Sequence, residues 1–218
     1  MIPLFHDFTG ETVLVVGGGP VGARKARKFA READVVVLSP AFADANFGDA
    51  ERVQTAPDPE DAADWVDRTD PVLVVAATDD GEVNDAFAAA ARDAGALVNR
   101  ADESGERDAD SVVVPATVRD DPVAVAVSTG GSSPALSKYL REQLTDELAG
   151  AGGMAELTAA LRAELKAADV DPGTRRDAVR AVVRSGPVWK ALRTGGTNAR
   201  QTADDVVTGV VGNSEWST

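Results

Sequence analysis

Three glycines stand at the spacing G-x-G-x-x-G directly after the apolar run at 12–16. Between a strand and a helix, this pattern is typical of a loop that binds the pyrophosphate of a dinucleotide. The first glycine permits a tight turn, the second lets the backbone approach the phosphates, and the third lets the helix pack closely on the strand. The residues expected at the pyrophosphate are Gly17, Gly19, Pro20, Val21 and Gly22. The alternative is a tight turn that binds nothing.

Three polar side chains follow predicted strands, at the edge of the sheet where dinucleotides bind. Ser39 ends the second strand, where an acidic residue usually receives the ribose hydroxyls, so its presence leaves NAD or NADP open. Thr78 and Asp79 follow the apolar run at 71–77 and are predicted to contact the cofactor. Their alternative role is to cap the next helix, because Thr and Asp are favoured at that position.

The elements that would position these residues alternate along the first half of the chain. The predicted strands lie at 12–16, 34–38, 53–55, 71–77 and 96–99, and the predicted helices at 21–32, 58–67 and 81–94. Strands that alternate with helices at this spacing predict a Rossmann-type parallel sheet with helices on both faces.

The pattern changes after about residue 110. Strands are predicted at 111–117 and 123–128, and the turn signal at 119–122 is too short to hold a helix, so these strands should pair antiparallel. A helix is predicted at 133–150 and a hinge at 150–153.

The rest of the chain, from residue 154 to 218, is predicted to be a run of helices. We therefore expect an α/β protein with three parts: a dinucleotide-binding domain at 1–110, a small central α+β segment at 111–150, and a helical C-terminal domain at 151–218.

The charge balance limits the classes of partner. The 218 residues include 36 acidic and 22 basic side chains, which give a formal net charge of −14. General nucleic-acid binding is not expected, because phosphate contacts need a basic face. The acidic residues are spread along the whole chain, which predicts a surface adapted to high salt, where a Debye length of about 3 Å at 1 M weakens self-repulsion.

Cysteine and histidine usage limits the chemistry. The chain has no Cys and a single His, His6, so disulfides, thiolate catalysis and a metal site made of several histidines are excluded, and no protein-bound metal is expected. No apolar run is long enough to span a bilayer. We expect a cytoplasmic protein without a membrane partner.

Several short motifs share the order and spacing of one known family. They lie at 2–5, 13–19, 23–26, 76–80, 83–84, 98–99 with Asp102, 128–136 and 140–141. Over about residues 2–145 the sequence resembles the precorrin-2 dehydrogenase/sirohydrochlorin ferrochelatase family, which is the dehydrogenase part of siroheme synthase. The block Ser-Thr-Gly-Gly-Ser-Ser-Pro at 128–134 makes this resemblance far more specific than the glycine pattern alone.

The resemblance implies an enzyme with NAD as cofactor and a tetrapyrrole as substrate. It implies that the central segment forms a homodimer and that precorrin-2 is oxidised to sirohydrochlorin, followed in bifunctional members by insertion of Fe2+. Asp102 matches the catalytic aspartate of the family. A carboxylate beside the macrocycle can serve as general base in both steps.

The substrate carries eight carboxylates, so basic groups and backbone N–H groups are expected around it. The glycine- and hydroxyl-rich loop before the predicted helix is one candidate, through Ser128, Thr129, Gly130 and Gly131. Its alternative role is a helix cap at Ser132 or Ser133. Arg119 and Arg141 are the other candidates, with solvated surface charges as the alternative. His6 is either a transient iron ligand or a surface residue.

Two other functions stay open on the sequence. One is a different NAD(P)-dependent oxidoreductase on the same fold, because fold alone does not decide function. The other is a non-catalytic module that senses a nucleotide. Neither requires the block at 128–134.

Overall fold

A computed structural model of the chain describes residues 2–101, 111–195 and 198–212. It divides into two compact units. The first unit contains Met1–Val114 and Gly130–Ser132, and the second contains Pro115–Thr129 and Ser133–Thr218. The three-part division at 1–110, 111–150 and 151–218 stays a prediction.

The first unit contains a five-stranded parallel sheet. Its strands are β1 (Thr12–Val16), β2 (Asp34–Ser39), β3 (Glu51–Gln54), β4 (Leu73–Ala76) and β5 (Leu97–Arg100). They lie in the order β3-β2-β1-β4-β5. Apolar runs form the central strands because such strands are buried on both faces, and every residue of β4 is buried. The predicted parallel sheet is confirmed.

Helices cover both faces of this sheet. They are α1 (Pro20–Phe29), a 3₁₀ turn (Pro59–Asp61), α2 (Ala62–Thr69) and α3 (Gly81–Asp93). Side chains of β1 alternate between two cores: Leu14 packs with Phe87 of α3, whereas Val15 packs with Phe29 of α1. The central strand is therefore held from both sides, and its carboxyl end at Val16 leads directly into the glycine turn.

The second unit begins with an antiparallel pair, β6 (Ala116–Asp120) and β7 (Val123–Val127), followed by α4 (Pro134–Glu147). The antiparallel pairing is confirmed, but the first strand begins later than predicted. Ser111 instead forms a parallel bridge with Val98 of β5 in the first unit. The turn is shorter than the predicted 119–122, because Arg119 and Asp120 belong to β6 and pair with residues of β7.

Four helices follow in the described part of the second unit, in agreement with the predicted run of helices. They are α5 (Ala151–Ala167), α6 (Pro172–Val183), α7 (Gly186–Arg193) and α8 (Ala199–Val211). Fully buried residues from all four form one core, among them Leu161, Ala178, Val188 and Val207. None of the described helices is long and apolar enough to cross a membrane.

The predicted hinge at 150–153 begins with Gly150, the N-cap of α5, whose φ of +86° lies in the left-handed region. Gly152 and Gly153 lie in the first turn of α5. A Cβ on Gly152 would stand 2.3 Å from the Asp121 carbonyl oxygen, and the Gly152 N–H donates to the Asp120 carboxylate at 3.1 Å. Gly152 therefore permits close packing of α5 against the β6–β7 turn, and the hinge stays a prediction.

Candidate functional site

The turn after β1 is built by two glycines that no other residue can replace. Gly17 has φ +120°, and a Cβ there would stand 2.4 Å from the Ala77 carbonyl oxygen. A Cβ on Gly22 would stand 1.9 Å from the Gly17 carbonyl oxygen. The turn thus lies directly on the end of β4, and α1 lies directly on the turn. The tight turn and the close packing of the helix are two of the three roles expected for the glycine pattern. Both are contacts within the protein and need no ligand.

Gly19 differs, because nothing in the described protein requires a glycine there. It is the N-cap of α1 with φ −72°, and no heavy atom lies within 4 Å of a Cβ built on it. The N–H groups of a first helical turn have no acceptor within the helix, and no acidic residue stands in the first turn of α1. Open space at such a helix start suits a pyrophosphate, so these residues fit NAD.

Pro20 and Val21 open α1 at this point. Pro20 occupies the first helical position, where its missing N–H costs nothing. Val21 is 36 % exposed although it is a large apolar residue. Both lie where the sequence places the pyrophosphate loop, and their contact with the cofactor stays a prediction.

Gly18, which the pattern leaves unspecified, has a role that the sequence analysis missed. A Cβ on it would stand 2.5 Å from the Ala41 carbonyl oxygen and 2.7 Å from the Ser39 Cβ. Its own carbonyl accepts a hydrogen bond from the Ala43 N–H at 2.8 Å. The loop after β2 therefore lies against the glycine turn. The signal in the sequence was the run of three consecutive glycines at 17–19, of which the pattern needs only two.

Ser39 ends β2 beside this turn. It is buried, and its hydroxyl donates to the Ala41 carbonyl at 2.7 Å. The side chain thus shapes the loop at the position where the ribose would lie. Its contact with the cofactor stays a prediction.

The loop after β4 is held from within. The Thr78 hydroxyl lies 2.8 Å from Oδ1 of the fully buried Asn84, which also accepts from the Thr78 N–H at 3.1 Å. The cap of α3 is Asp80, whose carboxylate accepts from two backbone N–H groups, so the capping alternative for Thr78 and Asp79 is wrong. Asp79 is exposed at the same sheet edge. The cofactor contacts of Thr78 and Asp79 stay predictions.

A hydrogen-bonded chain links α1 to β5. Lys25 Nζ donates to Asn99 Oδ1 at 2.8 Å, and Asn99 Nδ2 donates to the Val112 carbonyl at 2.7 Å. Asn99 is buried, and the Ala101 N–H donates to the Ala76 carbonyl at 2.9 Å. Both ends of the segment 102–110 are therefore anchored at the carboxyl end of the sheet. Asp102 itself lies outside the described residues.

The second glycine-rich loop precedes α4. Ser133 is the N-cap of α4 and accepts from the Leu136 N–H at 3.3 Å, which confirms the capping role for Ser133. The Thr129 hydroxyl lies 3.0 Å from the Ser137 hydroxyl and accepts from the Ser133 N–H at 3.2 Å. The remaining loop residues, Ser128, Gly130 and Gly131, are exposed. A substrate contact of this loop stays a prediction.

The two predicted arginines each lie near a carboxylate. Arg119 of β6 is 3.6 Å from Asp121, and Arg141 of α4 is 3.7 Å from Glu142. Partly exposed pairs at such distances contribute little to stability. Among the residues that the structure describes, no group of three His, Cys, Asp or Glu side chains is placed to hold a metal ion.

Comparison with known proteins adds family assignments to this geometry. A family model described as NAD(P)-binding matches residues 4–116, and one described as the central part of a sirohaem biosynthesis protein matches residues 120–147. Together the two models match most of the first 147 residues.

Relatives at 31–37 % identity are named precorrin-2 dehydrogenase or siroheme synthase. A precorrin-2 dehydrogenase of Methanosarcina barkeri is 31 % identical over 98 % of this chain and 96 % of its own length. A siroheme synthase of Aeromonas hydrophila is 37 % identical over 76 % of this chain but only 34 % of its own length. That of Chromobacterium violaceum is 36 % identical over 88 % of this chain and 40 % of its own length. The chain therefore spans less than half of these siroheme synthases.

The fold also matches a solved structure. A structure titled SirC, precorrin-2 dehydrogenase, superposes with a TM-score of 0.69 at 20 % identity, over 96 % of this chain and all of that one. This likeness supports the fold of both units.

Proposed function

The chain belongs to the precorrin-2 dehydrogenase family, and from this premise we propose how its residues carry out the NAD-dependent oxidation of precorrin-2 to sirohydrochlorin. The resemblance recognised in the sequence is thereby confirmed, as are the enzyme class and the cofactor. When bound, NAD+ accepts a hydride from the substrate, and a proton leaves at the same time, so the products are sirohydrochlorin, NADH and H+.

One observation carries the cofactor site: the open space at Gly19 before an α1 first turn without acidic residues. In a chain of net charge −14, a helix whose first turn carries no acidic residue offers a pyrophosphate little repulsion from the helix itself. We assign the pyrophosphate to Gly19, Pro20 and Val21, while Gly17 and Gly22 hold the turn and the helix in position.

Asp102 is the proposed general base. It follows Ala101, whose backbone is bonded to β4, and Asn99, whose side chain is bonded to α1 and to the returning chain at Val112. A base must be held near the proton that it accepts, and these anchors hold the backbone on both sides of its segment. Thr78 and Asp79 follow the neighbouring strand and are proposed to complete the cofactor site, with Ser39 at the ribose.

The direct test incubates the protein anaerobically with precorrin-2 and NAD+. The formation of sirohydrochlorin and of NADH is recorded by absorbance. Equal amounts of both products are expected, and Asp102→Asn should lower the rate at least about a hundredfold, the range of one general base, without changing NAD+ affinity. Persistence of precorrin-2 while NAD+ binds would favour another oxidoreductase or a nucleotide sensor.

Insertion of Fe2+ into sirohydrochlorin is the second proposed activity. The macrocycle brings four nitrogen ligands, so the protein needs few of its own, and Asp102 can accept the pyrrole protons that the metal displaces. The test adds Fe2+ to the product of the first reaction and compares the spectral change with a protein-free blank. A rate equal to the blank would restrict the chain to dehydrogenation.

A homodimer through the central segment is the third proposal. Helix α4 has no buried residue, and it exposes Leu136 at 46 % and Tyr139 at 56 %. Large apolar side chains exposed along one helix are typical of a surface that another molecule covers. The central sirohaem-biosynthesis model matches residues 120–147, which contain this helix.

The substrate contacts and the cellular setting complete the proposal. The loop at 128–131 is proposed to offer N–H groups to substrate carboxylates, and Arg119 and Arg141 are proposed to offer guanidinium groups. We also propose a cytoplasmic location and a surface adapted to high salt, the latter because the chain has 36 acidic but only 22 basic residues.

A further inference from the structure

A basic groove lies within the second unit, between α5 and α6. This groove is open to solvent and has a volume of about 630 Å³, within the usual range for a site that takes a small molecule. Four arginines line it, and Val179 and Val183 supply an apolar surface between them. The arginines are Arg162 of α5 and Arg175, Arg176 and Arg180 of α6.

The spacing along α6 explains this arrangement. Arg176, Arg180 and Val183 follow one another at intervals of four and three residues, which places them on one side of a helix. Ala178 and Val182 are fully buried in the helical core. The helix therefore turns a mixed arginine and valine side outward, and Val183 is 42 % exposed although it is apolar.

The groove stands out against the charge of the whole chain. Residues 1–150 contain 28 acidic and 13 basic side chains, whereas residues 151–218 contain eight acidic and nine basic ones. The excess negative charge thus ends where the helical segment begins. A local cluster of guanidinium groups in an otherwise acidic protein is expected to attract anionic ligands.

The nearby carboxylates leave room for such a ligand. Asp177 pairs with Arg180 at 2.9 Å, but both side chains are more than half exposed, so the pair is weak. Asp171 caps α6 through Thr174 and is held by those hydrogen bonds. Each guanidinium carries five N–H donors in a planar fork that matches a carboxylate in two-point contact.

We propose that this groove binds a polycarboxylate with an apolar face, with the arginines on the carboxylates and the valines against the ring. The proposed function supplies the identity of the ligand, a tetrapyrrole, whose flat macrocycle carries carboxylates around its edge. The helical segment, for which the sequence showed no motif, thereby gains a role in holding the substrate or product.

Uroporphyrin I, a stable porphyrin with eight carboxylates, is the probe, and quenching of its fluorescence by the full chain gives the Kd. The test variant is Arg162→Gln/Arg176→Gln, which removes one charge from each side of the groove. Its matched control is Arg184→Gln/Lys190→Gln, which removes two charges from exposed positions outside the lining. Circular dichroism of each variant checks that the helices are retained.

The test variant should raise the Kd at least about tenfold, because each charge-assisted hydrogen bond is worth about a factor of ten. The control should stay within about twofold. An equal loss of affinity in both variants would attribute the effect to net charge and contradict the groove as the binding site. An unchanged Kd in the test variant, or no binding by the unaltered chain, would also contradict it. Turnover of precorrin-2 is measured separately, so a chain that binds uroporphyrin without oxidising precorrin-2 would contradict the proposed function and leave the groove standing.

Discussion

Lys25 Nζ and Asn99 Oδ1 are joined by a hydrogen bond of 2.8 Å between α1 and β5. The first element begins at the glycine turn, and the second leads into the segment that contains Asp102. Asn99 is also bonded to the Val112 carbonyl, where the chain returns to the sheet. One buried amide therefore couples the proposed pyrophosphate loop to both ends of the proposed catalytic segment.

Asn99→Ala is expected to lower both stability and turnover. The substitution removes a buried hydrogen-bond partner of the Val112 carbonyl and of Lys25, which should cost about 1–3 kcal/mol in the free energy of unfolding. Urea denaturation measures this cost. Since Asn99 holds the ends of the Asp102 segment, kcat should fall while the Kd for NAD+ stays within about twofold.

Lys25→Met removes the hydrogen bond from α1 to Asn99 but keeps the Asn99 side chain in place. It should lower kcat in the same direction as Asn99→Ala but by less, because the bond from Asn99 to Val112 remains. Lys138→Met is the matched control, since that side chain is 73 % exposed on α4. An unchanged kcat in Lys25→Met would show that Asn99 holds the segment at 102–110 without any contribution from α1.

Gly19→Asp should remove cofactor binding and leave the fold intact. A side chain at Gly19 meets no described atom within 4 Å and needs no unusual φ, so the melting temperature should not fall by more than a few degrees. The carboxylate would occupy the space proposed for the pyrophosphate and repel it at the helix start. NAD+ affinity, measured by calorimetry, should fall at least about tenfold.

Gly22→Ala should, in contrast to Gly19→Asp, destabilise the fold. Its Cβ would stand 1.9 Å from the Gly17 carbonyl oxygen, so α1 must move away from the turn. Overpacking of this kind costs about 1–3 kcal/mol, and the melting temperature should fall together with NAD+ affinity. If Gly22→Ala melts like the unaltered chain and Gly19→Asp does not, the assignment of the two glycines is reversed.

Much of the first unit could be predicted from local patterns. Apolar runs located β1, β2 and β4, because strands buried on both faces carry no alternation, and glycine spacing located the turn. The edge strand β3 is mostly exposed, and its predicted range of 53–55 overlaps the observed strand only in part. The Ser133 cap was also among the predicted alternatives. These features depend on residues that are close in sequence, and therefore the sequence shows them.

Other features depend on contacts between distant segments. Gly18 is required by the approach of the loop at Ala41, and Gly152 by the approach of Asp121. Neither partner can be recognised from the sequence around the glycine, so neither packing role was predicted. The arginine groove escaped notice for the same reason, since its two sides come from different helices.

Leu136→Asp/Tyr139→Asp should convert the proposed dimer to a monomer. The two side chains are exposed on α4, and carboxylates there would be buried without partners if two copies met at this surface. Light scattering after size exclusion gives the mass. Val210→Asp is the control, at a site of 40 % exposure on α8. A monomeric unaltered chain would contradict the proposal directly.

Salt should stabilise the protein strongly. The net charge of −14 repels itself, and the screening length falls from about 10 Å at 0.1 M to about 3 Å at 1 M. The melting temperature should therefore rise by several degrees when KCl is raised from 0.1 to 2 M. The same rise in sucrose at constant ionic strength would point to solvent exclusion rather than charge screening.

Acid should weaken the helical segment through Glu164. A bidentate hydrogen bond from Arg200, which also contacts Asp204, holds the pKa of the Glu164 carboxyl below its ordinary value of 4.5. The folded state therefore binds fewer protons than the unfolded one, so this stability is complete above pH 4.5 and is lost as pH falls through the folded pKa. Because both partners are 40 % exposed, Glu164→Gln should cost no more than about 1 kcal/mol at pH 7. The difference from the unaltered chain, measured by urea denaturation at each pH, should shrink as pH drops below 4.5.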